Sequence, residues 1–272
     1  LRRPAMVHLT GADVAALPEI GWGRCLTARG RADLRAAAAL TAHRTVPSDW
    51  MADLARTRGV QADRLVLGVS LQDWPVRAPA RRTPGAEARL LYAGNLNTVK
   101  DPWTLMRAAA ALRARGVRFR LDLVGLDTLG GAVQLLAAKL GIGDVTYFHG
   151  WKPQAELREW MERADVLLVT SRHEAAPLVV LEAAVAGVPT AGTPVAHLAE
   201  WAPRAAVTVP FADPEAMADA VAALLGDEDR RLSIAAAAQR WAVEHDADRG
   251  EGDADPGPPS CGRAATGDDK RP

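Results

Sequence analysis

Lysine is scarce in this chain of 272 residues: Lys100, Lys139, Lys152 and Lys270 stand alone, and every other basic side chain is arginine. Together with alanine runs at 36–39 and 235–238, that bias speaks of a GC-rich coding sequence and says little about function. Cysteine is scarcer still. Cys25 and Cys261 are too few and too far apart for a disulfide framework or a zinc site, so a reduced, cytosolic setting is expected. Net charge is missing too, with 33 basic against 33 acidic residues, which leaves no global field to draw in nucleic acid or an anionic membrane. No apolar run approaches the roughly 20 residues of a spanning helix. The start, Leu1-Arg2-Arg3-Pro4, has no initiator Met and no apolar segment behind its arginines. It reads as the middle of a longer protein, not as a signal peptide.

What is present is an ordinary globular composition, 49% hydrophobic and 24% charged. Residues 1–70 read as part of an N-terminal domain: strands at 5–9, 44–46 and 64–67, an alanine-rich helix at 31–42, and a helix capped by Ser48-Asp49 that carries Trp50, Met51, Leu54 and Ala55 on one face and ends at Gly59. This series is too short for a complete doubly wound domain. Residues 71–88 hold Pro75, Pro79 and Pro84 without hydrophobic periodicity, as an interdomain linker does. Over 89–246, strand-like runs at 89–93, 119–124, 144–148, 165–170 and 188–191 alternate with helical patterns at 102–115, 130–140, 154–162 and 177–186, with further helices at 213–225 and 229–244. Such alternation predicts an α/β fold, a Rossmann-like parallel sheet with helices on both faces. The tail 247–272 has no apolar face and is expected to be disordered; a natural flexible tail and a read-through into the wrong frame both fit it.

The chemistry concentrates in Ser171-Arg172-His173-Glu174-Ala175-Ala176-Pro177-Leu178-Val179-Val180-Leu181-Glu182, behind the apolar strand Val166 to Val169. Ligands of open α/β sheets bind outside the carboxyl ends of such strands. Pro177 suits the first turn of the next helix, leaving the amides of Leu178 and Val179 free at its positive end, where a diphosphate is a natural guest. Glu174 precedes the helix, beside whatever is attached to the far side of the phosphates. Glu182 lies about 7 Å deeper, where a carboxylate can accept both hydroxyls of a ribose. Val179, Val180, Leu181, Ala183 and Ala184 surround it, and a buried carboxylate without a partner costs several kcal/mol, which argues for a ligand over a solvated helix residue. A second loop, Gly94-Asn95-Leu96-Asn97-Thr98-Val99-Lys100-Asp101-Pro102, also follows a strand and opens a helix, with Gly94 admitting close backbone approach.

The first segment resembles the E-x7-E signature of retaining GT-B glycosyltransferases of the family-4 type (glycosyl transferases group 1), including Glu182-Ala183 and Gly187-Val188-Pro189, over roughly residues 43 to 245 of an N-terminally truncated chain. The resemblance implies that Glu174 contacts the hydroxyls of the transferred sugar, that Glu182 holds the ribose, and that Ala175, Ala176, Leu178 and Val179 line the donor site. The second segment resembles the family's Gly-Arg-x4-Lys loop. Lys100 matches, with a catalytic role in neutralising the leaving diphosphate, while Asn95 replaces the Arg. Gly150-Trp151 resembles the base-binding turn, against the plainer reading of a strand-ending turn with a packed Trp. His8 is a weak candidate for the family's catalytic-site His, whose matching position is Thr10; a plain strand histidine is the stronger reading. Ala175 stands for a usual Gly, and Ala196-His197 for a usual Gly-Gly.

The expected activity is sugar transfer, with retention, from a nucleoside-diphosphate sugar to a saccharide, lipid or other small acceptor, using no metal and no resident cofactor. A GT-B epimerase or hydrolase and a non-catalytic nucleotide-sugar-binding fragment are the alternatives. Localisation is expected to be cytoplasmic, with peripheral membrane association through missing N-terminal sequence left open.

Overall fold

The computed structural model describes residues 4–247; the tail expected to be disordered lies, from residue 248 on, outside the described residues. Near the N-terminus, β1 (Met6–His8), β2 (His43–Val46) and β3 (Asp63–Arg64) form a parallel sheet in that order. Helix α1 (Ala28–Leu40) starts three residues earlier than periodicity suggests, because the Thr27 hydroxyl accepts from the Gly30 amide. Helix α2 (Asp49–Thr57) is capped by Ser48, as expected, through the Met51 amide. Leu9, Val14, Leu34, Val46, Met51, Ala55 and Val60 make the small core beneath them. The strand expected at 64–67 shrinks to two residues, since β3 has only β2 to pair with and the chain leaves the edge after Leu65 donates to the Val46 carbonyl.

The larger sheet holds β4 (Ala88–Ala93), β5 (Phe119–Val124), β6 (Thr146–Phe148), β7 (Val166–Val169), β8 (Thr190–Gly192) and β9 (Val207–Thr208), all parallel, in the order β6-β5-β4-β7-β8-β9. The order reverses between β4 and β7, so the crevice of a doubly wound sheet opens at their carboxyl ends. Side chains alternate along β4: Leu90 and Tyr92 join one core with α3 (Pro102–Ala114), α4 (Ala132–Lys139) and α8 (Pro214–Gly226), while Leu91 joins the other. That second core is closed by α5 (Gln154–Arg163), α6 (Leu178–Val185), α7 (Ala196–Trp201) and α9 (Glu228–Glu244). Burial of both faces explains why these strands read as continuous apolar runs. The short α7 and β9 have no sequence counterpart in the reading above; six and two residues are too few to show a period.

Residues 71–87 contain no helix or strand and lie along the larger layer. Trp74 is buried in its second core. The Arg77 amide donates to the Val185 carbonyl, and Gln239 donates to the Arg77 carbonyl. Arg231, only 2% exposed, donates to the Ala80 and Asp165 carbonyls and to both oxygens of Glu228. After α9 the chain returns to the start of this connection, where the Ala247 amide meets the Val69 carbonyl.

Candidate functional site

At the carboxyl ends of β4 and β7 two loops face each other, 94–101 before α3 and 170–177 before α6. Lys100 Nζ donates to Glu174 Oε1 at 2.5 Å, and Ser171 Oγ donates to the same oxygen at 2.6 Å. Both side chains are largely covered, Lys100 at 26% exposure and Glu174 at 13%. The sequence places Lys100 with the phosphates and Glu174 with the sugar; the structure pairs them directly.

The pair is held from behind. Thr170 Oγ1 donates to the Lys100 carbonyl at 2.9 Å, and the Arg172 amide donates to Val99. Asp101 accepts from the Thr104 amide and hydroxyl as the cap of α3, and its Oδ2 also takes Arg172 Nε at 2.6 Å. Thr193 Oγ1 reaches across from β8 to the Ser171 carbonyl. Sequence reasoning missed these four supports. Asp101-Pro102 carried a legible signal, a capping residue before a helix-opening proline; the partners of Thr170, Arg172 and Thr193 are too distant in the chain to leave one.

Helix α6 begins at Leu178, with Pro177 as its cap and not in its first turn, because Pro177 takes an extended ψ of 103°. The Val180 amide closes on the Pro177 carbonyl. The amides of Leu178 and Val179 make no hydrogen bond among the described residues and stand at the positive end of the helix. Glu182 lies in the middle of α6, half-buried where the sequence suggested deeper burial, and has no hydrogen bond or ion pair among the described residues. Desolvation alone pushes its pKa up to about 7. Ala175 and Ala176 are half-buried, and the Ala175 carbonyl accepts from Ser48 Oγ at 2.8 Å, a bond from the N-terminal sheet to this loop.

Asn95 Oδ1 accepts from the Leu126 amide at 3.2 Å, which leaves its NH2 group as the free donor. The glycine that a close approach requires is Gly125, where a Cβ would lie 2.0 Å from the Gly94 carbonyl oxygen; a Cβ on Gly94 itself would meet nothing nearer than Tyr92 Oη at 3.5 Å. Gly150 is left-handed (φ 67°) and accepts from the Gly125 amide. Trp151 is 63% exposed, which removes the reading of a packed strand-end Trp. Beneath that turn, His149 Nε2 meets Asp122 Oδ1 at 2.8 Å, and its ring packs tilted against Trp160 with centroids 4.0 Å apart.

His8 sits on β1 with Nδ1 at 2.8 Å from Thr45 Oγ1, its partner in register, as a strand histidine does. His197 is fully buried among Trp201 and Trp241, so the Ala196-His197 departure turns no imidazole toward a ligand. Ala196 itself holds φ 44°, the left-handed conformation for which glycine is the easier residue. His173 was missed altogether. It is 4% exposed, with ring centroids 5.3 Å from Trp22 and 5.1 Å from Trp50, and burial holds its pKa down at about 4.

Comparison with known proteins gives this geometry a family. The family model described as glycosyl transferases group 1 matches residues 78–241. A D-inositol 3-phosphate glycosyltransferase of Thermobispora bispora is 35% identical over 182 residues, covering 61% of this chain and 42% of that protein. One from Xylanimonas cellulosilytica is 30% identical over 212 residues, covering 69% and 49%. The chain thus spans less than half the length of these curated relatives. Among solved structures, Anabaena HepE in complex with UDP and glucose superposes with a TM-score of 0.72 at 15% identity, over 90% of this chain and 68% of that one. Sucrose-phosphate synthase from Thermosynechococcus elongatus gives 0.73 at 21% identity, over 88% and 62%. Such identities speak for the fold alone, which is GT-B. With the model covering more than half of its residues, the chain belongs to the glycosyl transferases group 1 family.

Proposed function

We propose that this chain carries the donor side of a glycosyltransferase that moves a sugar, with retention, from a nucleoside diphosphate to a hydroxyl-bearing acceptor. The observation that carries the reading is the array along α6: Glu174 before it, two amides at its start and Glu182 within it, the last three without a hydrogen-bond partner among the described residues. A sugar, a pyrophosphate and a ribose fit those three stations in that order. As the bond from the anomeric carbon to the phosphate oxygen breaks, its electron pair leaves on the diphosphate. Lys100 Nζ, the Asn95 NH2 group and the amides of Leu178 and Val179 stabilise that charge, a preorganised electrostatic contribution that dominates steps of this kind. The acceptor oxygen then bonds to the anomeric carbon on the face the diphosphate left, and the acceptor proton is released. Glu174 aligns sugar hydroxyls and is not required as a nucleophile. Gly150 and Trp151 border the base. The reading assigns the charge balance to the protein's own groups and includes no resident metal.

HepE binds UDP and glucose, and the curated relatives act on D-inositol 3-phosphate by name, which makes UDP-sugars and phosphorylated cyclitols the first donors and acceptors to try. Among the described residues no helix is long and apolar enough to cross a membrane. Because the chain covers 42–49% of those relatives, donor binding without transfer is the second reading. The test is calorimetric binding of UDP- and GDP-sugars followed by release of free nucleotide with and without acceptor. Nucleotide released with glycoside formed supports transfer; release without glycoside indicates a hydrolase; binding without release indicates a binding unit. A Glu174→Gln, Glu182→Gln double variant that keeps wild-type affinity and turnover overturns the donor-site reading.

A further inference from the structure

His173 immediately precedes Glu174, yet its ring leaves the loop before α6 and inserts into the N-terminal layer. Trp22, in the connection between β1 and α1, and Trp50, in the first turn of α2, both pack tilted against it, with ring centroids 5.3 and 5.1 Å away. Gly11 lies against it as well: a Cβ added there would stand 3.6 Å from His173 Nε2. Nε2 is buried without a hydrogen-bond partner among the described residues, and packing against these side chains holds the ring. Two further bonds tie the same layers together beside it, Ser48 Oγ to the Ala175 carbonyl and the Trp50 amide to Glu200 Oε1 on α7. Glu174 therefore sits between an anchored residue on one side and an anchored carbonyl on the other, with Lys100 and Ser171 on its carboxylate.

We propose that His173 is a positioning residue: its ring, clamped between Trp22 and Trp50, couples the N-terminal layer to the loop that sets where Glu174 meets the donor sugar. The proposal rests on Glu174 being the sugar-contacting carboxylate. The ring's role is steric and aromatic. A phenyl ring of similar size can replace it, and an alanine cannot.

UDP and UDP-glucose are the probes, or GDP and GDP-mannose if the protein binds the guanosine pair. Loss of UDP-glucose affinity with UDP affinity unchanged reports on the sugar end alone. H173A is expected to weaken UDP-glucose binding about fivefold or more, reproducing at least half of the E174Q loss, with UDP binding unchanged within about twofold; H173F returns to within about twofold of wild type. W22A, made from the opposite layer, gives the same pattern and serves where H173A does not fold. A double-variant cycle of H173A with W22A is expected to be non-additive in both Tm and UDP-glucose affinity. If E174Q leaves UDP-glucose affinity untouched, the reading of Glu174 falls. If E174Q weakens it while H173A and W22A do not, the positioning role falls. If H173F is as impaired as H173A, an imidazole nitrogen is at work and the clamp is wrong.

Discussion

Replacing Glu182 with Gln should make the protein more stable and less able to hold a nucleotide, and the two effects should separate with pH. Burial raises the Glu182 pKa from 4.5 to about 7, so the folded protein holds this proton more tightly than the unfolded chain does. The sign follows. The contribution of this group is most favourable below about pH 4.5 and is lost as pH rises through 7, where the folded state must carry an unpartnered carboxylate. Two and a half pH units at 1.36 kcal/mol each set an upper bound of about 3 kcal/mol. Because the side chain is only half-buried, screening brings the expected gain of Glu182→Gln to on the order of 2 kcal/mol at pH 8, and to about a quarter of that at pH 5. Urea unfolding at the two pH values measures it as a midpoint shift at constant m. At pH 8 the same variant should bind nucleotide-sugar about 10- to 100-fold more weakly, the worth of one or two hydrogen bonds to a charged acceptor. A variant equally stabilised at both pH values, or one that binds nucleotide like the wild type, would refute the reasoning.

Lys100→Ala removes the loop's cation and should lower turnover about 100-fold, measured as nucleotide release from the nucleotide-sugar, with Glu174 left to Ser171 alone. Asn95→Arg supplies the guanidinium the family usually has and should tighten diphosphate binding severalfold by calorimetry, despite losing the bond to the Leu126 amide. Arg231→Ala takes the guanidinium from the Ala80 and Asp165 carbonyls and leaves Glu228 only the Arg82 amide; chemical denaturation should show a loss of about 3 kcal/mol, and proteolysis should open the connection near residue 80. His173, with its pKa lowered from 6.5 to about 4, contributes stability that is complete above pH 6.5 and is lost, by about 3 kcal/mol at most, as pH falls to 4. That slope should be missing in His173→Phe, whose comparison with wild type separates it from the opposite slope of Glu182.

Most of the large sheet was legible because its central strands are buried on both faces and its helices other than α7 exceed two turns, so each of those elements carries its own periodic record. The small sheet was less so: a strand with one neighbour, such as β3, ends where pairing ends, and hydrophobicity beyond Arg64 marks packing instead. The array along α6 was readable because Glu174, Pro177 and Glu182 are contiguous in the chain. What brings Lys100 to Glu174, Arg172 to Asp101, or Trp22 and Trp50 to His173 is the parallel pairing of β4 with β7 and the packing of one layer on the other. No local pattern encodes such neighbours, so the candidate site's residues could be named from sequence while the contact between two of them could not.

That contact changes how the charges must be counted. The Gly94 loop offers one cation where the family usually has two, and this cation is bonded to Glu174. An arriving diphosphate, bearing about two negative charges, can take Lys100 only by sharing it. Glu174 can give up part of that bond because Ser171 Oγ remains on the same oxygen and sugar hydroxyls can add to it. Glu182 has no partner to surrender among the described residues and, on the proposed reading, gains its first from the ribose, while its raised pKa keeps it partly neutral near pH 7, so it adds less than a full charge to an already anionic site. On the proposed reading, a site with a single lysine holds a nucleoside diphosphate because one glutamate is already paired with that lysine and the other is partly protonated near pH 7.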